Sequence, residues 1–164
     1  MIYGTLQDVK AFLISDFESA LAHVEGIYGL TADRWQFMDT YQSNGQQFPS
    51  VSILANNQTA FIFPTPGNSN NPGFKINRRF DNVQIIVWHR GNRATSRRIE
   101  DNVMMYMDAF DYLFTNEANL NDERKYRHVR ITGTDFTDLF PEDIRQTQGA
   151  LIKGAVFSIE VRPN

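Results

Sequence analysis

The chain has 164 residues, 41% of them hydrophobic and 21% charged, which is the composition of one soluble globular domain. It has no cysteine, and this excludes disulfides, a thiolate nucleophile and metal sites with cysteine ligands. The net charge of −3 argues against a protein whose main role is to bind nucleic-acid phosphates. Residues 1–8 lack the features of a signal peptide and no run of ~18 apolar residues occurs, so a cytosolic protein is expected.

The first predicted element is a helix over residues 5–28. Its apolar residues recur at steps of three and four, which is the pattern of one buried stripe. They are Val9, Phe12, Leu13, Phe17, Ala20, Leu21, Val24 and Ile27. Thr5 and Asp8 resemble a capping box at the start of the helix, and Gly26 and Gly29 bracket its predicted end.

The next predicted element is a β-hairpin. Its arms are residues 48–55 and 59–63, and Asn56-Asn57 between them suits a tight turn because Asn tolerates positive φ. Residues 64–79 then contain three prolines among Gly and Asn residues. We expect this segment to be a mobile loop, or an arm that becomes ordered on a partner.

The strongest predicted strand covers residues 80–90, which are apolar on both faces and therefore expected at the centre of a sheet. A second helix is predicted over residues 95–115. Its core stripe consists of Ile99, Val103, Tyr106, Met107, Phe110, Leu113 and Phe114. Four further apolar residues lie outside that stripe: Met104, Met105, Ala109 and Tyr112. This helix is therefore expected to be buried on two sides, either within the chain or between subunits.

Two closing strands are predicted over residues 126–136 and 150–162, where apolar and polar residues alternate. The predicted order is helix, three strands, helix, two strands, in a single domain over residues 1–164. Two helices packed on a mostly antiparallel sheet define an α+β fold.

The sequence contains no catalytic motif. The spacing of His23, His89 and His128 matches no metal motif, and imidazoles at the surface or the core edge are expected in preference to a catalytic dyad. No Walker loop, G-x-G-x-x-G or G-x-S-x-G segment occurs. We therefore expect no catalytic residue, no metal and no cofactor.

Acidic residues offer an alternative, a metal-dependent hydrolase or nuclease. Glu123 and Lys125 form an E-x-K tripeptide of the kind that nucleases use to hold a metal, with Asp111 upstream. An acidic cluster around a predicted turn carries oxygen ligands for a hard cation: Asp135, Asp138, Glu142 and Asp143. A solvated charge run explains the tripeptide better, and the cluster lacks the regular spacing of a calcium loop.

The candidate interface residues are basic or apolar. The basic ones lie around the predicted arm and the start of the second helix: Arg78, Arg79, Arg90, Arg93, Arg97 and Arg98. Cations at a helix N-terminus oppose its dipole, so they are balanced either by Glu100 and Asp101 or by a partner's carboxylates or a phosphate passing nearby. The apolar candidates are Met104, Met105 and Tyr112, which either fill the core or form an adaptable subunit contact.

Three segments carry a resemblance to a known family: VQIIVWHRG at residues 83–91, RRIEDNV at 97–103 and MDAF at 107–110. A strand that ends in Trp and a basic residue, followed by a helix that stabilises a small sheet, resembles the tail terminator, or tail completion, proteins of tailed bacteriophages. The order of elements along nearly the whole chain is similar as well. Small neck proteins such as head–tail connectors and head completion proteins have a similar order of elements.

The resemblance implies a non-enzymatic protein that forms an oligomeric ring, expected to be a hexamer, at the end of the phage tail tube. Its partners would be copies of itself, the tail tube protein and head or connector proteins. DNA would pass through the lumen without specific binding, and no membrane would be involved. The protein would be made in the host bacterial cytoplasm and reside in the virion. A head completion or connector protein is the alternative within virion assembly.

Overall fold

The computed structural model describes residues 2–34, 36–38, 50–64, 75–91, 95–116, 126–136 and 151–163. Helix α1 spans Ile2–Tyr28 and helix α2 spans Ser96–Asn116. The strands are β1 (Gln36–Met38), β2 (Ser50–Pro64), β3 (Lys75–Gly91), β4 (Tyr126–Asp135) and β5 (Leu151–Pro163). Both predicted helices and the strands predicted over 126–136 and 150–162 are thus confirmed to within three residues of their ends, and the strand predicted over 80–90 lies within β3, which begins five residues earlier.

The five strands form one sheet in the order β1-β2-β3-β5-β4. β3 lies at the centre, as predicted for residues 80–90, and pairs antiparallel with β2 on one side and with β5 on the other. At one edge β4 pairs antiparallel with β5, and at the other the short β1 pairs parallel with β2. Both helices pack against the sheet and against each other, so the predicted α+β fold is confirmed.

The hydrophobic core lies between the helix pair and the sheet. Alternate residues of β3 and β5 contribute to it and are buried: Val83, Ile85, Val87, Ala155, Phe157, Ile159 and Val161. Phe17 of α1 is fully buried at its centre, with its ring centroid 5.1 Å from that of Tyr106 and 5.0 Å from that of Phe110. On the opposite face of β3, Ile86 and Trp88 are also buried, which confirms that this strand is apolar on both faces.

The predicted bounds of α1 are correct at its C-terminal end and wrong at its N-terminal end. The helix begins at Ile2, so Thr5 lies inside it and the predicted capping box is wrong. The Thr5 hydroxyl instead donates a hydrogen bond of 2.7 Å to the buried carboxylate of Asp81 on β3. At the other end Gly29 has a φ of 64°, a left-handed conformation that glycine adopts without steric cost, and its N–H donates to the Glu25 carbonyl at 2.9 Å.

The predicted hairpin with a turn at Asn56-Asn57 is wrong, because residues 50–64 form the single strand β2. β2 pairs with β3 along its whole length, and the register shifts between Ala55 and Asn57. A β-bulge accommodates one extra residue without ending the ladder. A turn at this point would break the pairing of the following residues with β3. The polar Asn pair therefore marks a bulge.

The predicted arm over residues 64–79 is wrong at both of its ends. Pro64 is the last residue of β2, and residues 75–79 form the start of β3. Backbone pairing with β2 explains this, since the two strands hold each other in register from Ser50 opposite Trp88 to Pro64 opposite Lys75. The rest of the predicted arm, residues 65–74, lies outside the described residues, as does the turn predicted around residues 140–143.

Gly91, the last residue of β3, is tightly enclosed by the start of α2. A Cβ atom at this position would overlap the Ile99 Cδ1 and Thr95 Oγ1 atoms. We expect Gly91→Ala to lower the free energy of unfolding by about 1–3 kcal/mol, because the buried Ile99 must shift to make room. Urea denaturation followed by circular dichroism measures the loss. The control is Gly133→Ala, since a Cβ atom there meets no atom within 4 Å; equal effects of the two changes would contradict the steric account.

Candidate functional site

The most connected polar cluster among the described residues surrounds Asp33, five residues after α1 ends. The Asp33 carboxylate contacts His89 Nε2 at 2.9 Å, the Arg98 guanidinium, and Asn102 Nδ2 at 3.2 Å. Gly29 turns the chain out of α1 towards this position, β3 contributes His89 near its end, and α2 contributes Arg98 and Asn102 one turn apart. The cluster thus joins three separate elements at one end of the sheet.

Backbone groups of the same segment are also bound. The Asp33 N–H donates to Asn102 Oδ1 at 2.7 Å, and the Tyr106 hydroxyl donates to the Asp33 carbonyl oxygen. Asn102 in turn donates to the Arg98 carbonyl oxygen at 2.8 Å, which fixes the orientation of its amide. We call Asp33, His89, Arg98, Asn102 and Tyr106 the Asp33 clasp, because together they hold the chain after α1 against α2 and β3.

The hydrogen bonds define the tautomer of His89. The Arg90 N–H donates to His89 Nδ1 at 2.8 Å, so Nδ1 is an acceptor and the proton lies on Nε2, which donates to Asp33. Both ring nitrogens are therefore engaged within the chain. A general base needs a nitrogen that faces the substrate, and this imidazole offers none in the observed arrangement. Its position matches the predicted core-edge imidazole.

The charge of Asp33 is stabilised by its partners. Burial has the largest single effect on the pKa of the Asp33 carboxyl group and raises it, because burial favours the neutral form. The hydrogen bonds from His89 and Arg98 lower the pKa and together outweigh the effect of burial. The pKa of Asp33 is therefore lower than the ordinary value of 3.8. Burial raises the pKa of the Tyr106 hydroxyl, which remains a donor to the Asp33 carbonyl oxygen. The shift of the Asp33 pKa thus follows from hydrogen bonds within the chain, although the Arg98 side chain is 68% exposed.

A second ion-pair group extends the clasp onto α1. The Arg34 guanidinium lies 2.9 Å from a Glu25 carboxylate oxygen and 3.3 Å from one of Glu18. Glu25 also accepts a hydrogen bond of 3.2 Å from the Ala32 N–H. The chain leaving α1 is thus bound on both sides, to α1 through Arg34 and to α2 through Asp33.

Those of the predicted basic interface residues that the structure describes belong to two elements, β3 and α2. Arg90 and Arg97 are exposed, and Arg98 is bound by Asp33, a carboxylate of the same chain that the sequence analysis did not single out. Arg78 and Arg79 are residues of β3, and Arg93 lies outside the described residues. No pattern in the sequence marks Asp33, a single acidic residue in a polar segment whose partners are 56–73 residues away.

The apolar interface candidates on α2 have different environments. Met105 is buried in the core, so in this chain it has the core-filling role that was one of its two predicted alternatives. Met104 is 54% exposed. Tyr112 is half-buried and stacks on the ring of His23, with centroids 4.1 Å apart. Met104 is thus the candidate that a partner can reach most directly.

Met104 borders an open groove of about 210 Å³ between α2 and the adjoining strands. Phe136, which follows β4 and is 57% exposed, forms its other apolar wall. The remaining lining residues are Glu100, Val103 and Gly154. We call these five residues the Met104 groove. A second open depression, of about 450 Å³, lies beside the clasp and is lined by both apolar and charged residues, among them Leu30, Arg97 and Asp101.

Of the residues proposed for the metal-dependent alternative, only Asp111 and Asp135 are among those that the structure describes. Asp111 is exposed on α2 and Asp135 is exposed at the end of β4. Glu123, Lys125, Asp138, Glu142 and Asp143 lie outside the described residues. Among the residues that the structure does describe, no three His, Asp or Glu side chains form a group that could hold a metal ion.

Comparison with known proteins gives no family assignment: no protein-family description and no curated protein matches the sequence. Neither helix in the described ranges is long and apolar enough to cross a membrane. The class of protein is therefore defined by the fold of its described residues, which is α+β with two helices packed on one sheet.

Proposed function

We propose that this chain is a structural virion protein, a tail terminator whose copies form a ring at the end of a phage tail tube and join it to the head. The observation that carries the proposal is the order helix, three strands, helix, two strands in an α+β domain, from which a two-stranded part of the sheet extends. The resemblance to tail terminator proteins rests on an order with the same number of elements, in which the first three strands are two hairpin arms and the strand over residues 80–90; in the structure these three strands are β1, β2 and β3.

The two-stranded extension supports the assembly role. Pairing between β3 and β5 ends with Asp81 opposite Val161, but β2 and β3 remain paired as far as Pro64 and Lys75. In the part of the sheet that the structure describes, residues 59–64 and 75–80 therefore form a two-stranded ribbon, about 20 Å long at ~3.3 Å per residue. A two-stranded ribbon is at best marginally stable by itself, so contact with another molecule would give it the packing that an isolated ribbon lacks.

The chemistry of the surface is consistent with this role. The Asp33 clasp is engaged internally, which fits a part that supports the fold better than a reactive centre. The net charge of −3 would let DNA pass through a ring without strong electrostatic attraction to its wall. Exposed apolar side chains on α2 and after β4 offer area for protein contacts.

Size-exclusion chromatography with light scattering, alone and with purified tail tubes, tests the proposal. We expect either a ring with a mass six times the 18.9 kDa of the chain, or monomers that assemble when tube ends are added. Electron microscopy of the mixture should place the ring at one end of the tube. Binding to head connectors without binding to tubes would favour the head completion role instead, and binding to neither would contradict a role in the neck.

A further inference from the structure

Three large apolar side chains are exposed within four residues of one another where α1 ends. Ile27 is 62% exposed, Tyr28 54% and Leu30 48%. Single exposed apolar residues are ordinary on a protein surface, but a group of neighbouring ones is typical of a surface that contacts another protein. The end of α1 is therefore a candidate contact surface.

Tyr28 and Leu30 of this group lie beside α2. The Tyr28 hydroxyl donates a hydrogen bond of 2.7 Å to the Asp108 carboxylate. Leu30 lines the open depression of about 450 Å³ together with Asp101 and Met105 of α2. The surface therefore involves both helices, and an open depression between two helices has a shape that suits an amphipathic helix from a partner.

Three aspartates of α2 border this surface. Asp108 and Asp111 are exposed and three residues apart, which places them on one face of the helix, and Asp101 is half-buried two turns earlier, about 10 Å along the axis. None of the three forms an ion pair with another described residue. The Tyr28 hydroxyl orients the Asp108 carboxylate but leaves its charge uncompensated. We call the following six residues the Tyr28 patch: Ile27, Tyr28, Leu30, Asp101, Asp108 and Asp111.

The Tyr28 patch has an excess of negative charge. The cations that line the depression with Asp101 are Arg97 and Arg98. The Asp33 carboxylate binds Arg98, so Arg97 alone remains to offset the three aspartates. These carboxylates would repel phosphate groups, which argues against nucleic acid or an anionic lipid surface as the occupant. Apolar area beside uncompensated carboxylates fits a protein segment that combines apolar residues with lysine or arginine.

We propose that the Tyr28 patch binds an amphipathic helix of a partner protein. The apolar residues of that helix pack on Ile27 and Leu30, and its lysines or arginines lie over Asp108 and Asp111. A cation that reaches Asp108 also lies close to the exposed Tyr28 ring, and a cation–π contact adds to the attraction. The inference goes beyond the proposed ring and does not depend on it, because residues of one chain form the whole surface.

Binding of designed peptides provides the first test. The probe is a fluorescein-labelled helix of about 18 residues, or five turns, with leucines along one face and lysines along the other. One control peptide has glutamate in place of every lysine. A second has the composition of the probe in an order that forms no apolar face. Fluorescence anisotropy should show that the chain binds the probe at least about tenfold more tightly than either control peptide.

Neutralisation of two aspartates tests the charged part of the patch. The variant Asp108→Asn with Asp111→Asn should bind the probe about tenfold more weakly, because two contacts between a carboxylate and a cation are lost. The matched control is Asp16→Asn with Asp135→Asn, which changes the net charge equally. Asp16 lies about three turns before the end of α1 and Asp135 at the end of β4, so this control should bind the probe within about twofold of the wild type.

Replacement of two apolar side chains tests the apolar part of the patch. Ile27→Ser with Leu30→Ser should also weaken binding of the probe about tenfold, because the apolar face of the peptide then loses its contact area. The matched control is Tyr3→Ser with Ile14→Ser, which removes exposed apolar side chains elsewhere on α1. Thermal melting checks that each variant remains folded. The aspartate variant keeps every apolar side chain, so it tests the inference even if the serine variant does not fold.

The outcomes separate this surface from the proposed ring. The inference is overturned if the wild type binds the three peptides alike, or if each variant and its matched control lose binding equally. It is also overturned if the patch variants lose association between copies while the wild type leaves the probe unbound, because the patch is then a contact between subunits. If the wild type prefers the probe as expected but neither self-associates nor binds tube ends, this inference stands and the proposed function fails.

Discussion

Phe17→Ala is expected to lower the free energy of unfolding by about 3–5 kcal/mol, the usual cost of removing a buried phenylalanine ring. Phe17 is fully buried and its ring contacts both Tyr106 and Phe110, so the change removes the packing between α1 and α2 at their centre. The adjoining rings of Tyr106 and Phe110 cannot collapse fully into the space. Urea denaturation monitored by circular dichroism gives the magnitude.

Ile14→Ala is the matched control for this change, because Ile14 lies on the same helix but is more than half exposed. Its replacement should alter the free energy of unfolding by no more than about 0.5 kcal/mol. A loss of less than about 1 kcal/mol for Phe17→Ala would show that the helix pair does not pack on the sheet as described.

Asp33→Ala is expected to cost about 1.5–3 kcal/mol, because it removes the charged acceptor shared by His89, Arg98 and Asn102. The segment after α1 would then lose its side-chain link to β3, while the Tyr106 hydroxyl would still reach the backbone. Denaturation at neutral pH measures the loss. Asp111→Ala, which changes an exposed carboxylate on α2, is the control and should stay within about 0.5 kcal/mol of the wild type.

The contribution of Asp33 should also depend on pH in a defined direction. Its pKa is lower in the folded protein than the ordinary 3.8, so the unfolded chain takes up the proton first as the solution is acidified. The stabilisation is therefore complete above the ordinary value and is lost as the pH falls from 3.8 through the lowered pKa. The stability difference between wild type and Asp33→Asn should narrow over this interval; a constant difference would contradict a charged clasp.

The helices and most strands were predictable because their signals are local. The stripe from Val9 to Val24 repeats at helical spacing and is buried as expected, and the alternation in residues 150–162 matches the buried face of β5. Ile27 departs from the stripe and is largely exposed in the last turn of α1. Periodicity identifies the buried face of an element, but it does not say how far the neighbouring elements extend alongside it.

The features that the sequence analysis missed depend on partners far away in the chain. The Asn56-Asn57 pair has the composition of a turn, yet the ladder to β3 carries the strand through it with a bulge. Thr5 has the composition of a helix cap, yet its hydroxyl binds Asp81, 76 residues later. The same holds for Asp33, whose role is visible only once β3 and α2 are placed beside it.

The position of β3 between β2 and β5 has a consequence for the order of folding. β2 and β3 are close in the sequence, but the other side of β3 pairs with residues 60–80 positions further on, from Gly91 opposite Leu151 to Asp81 opposite Val161. On the ribosome, β5 emerges after every other strand of the sheet. Until then the central strand of the sheet has unpaired peptide groups along one side, and nascent chains are exposed to mispairing and aggregation for as long as synthesis of the last strand takes.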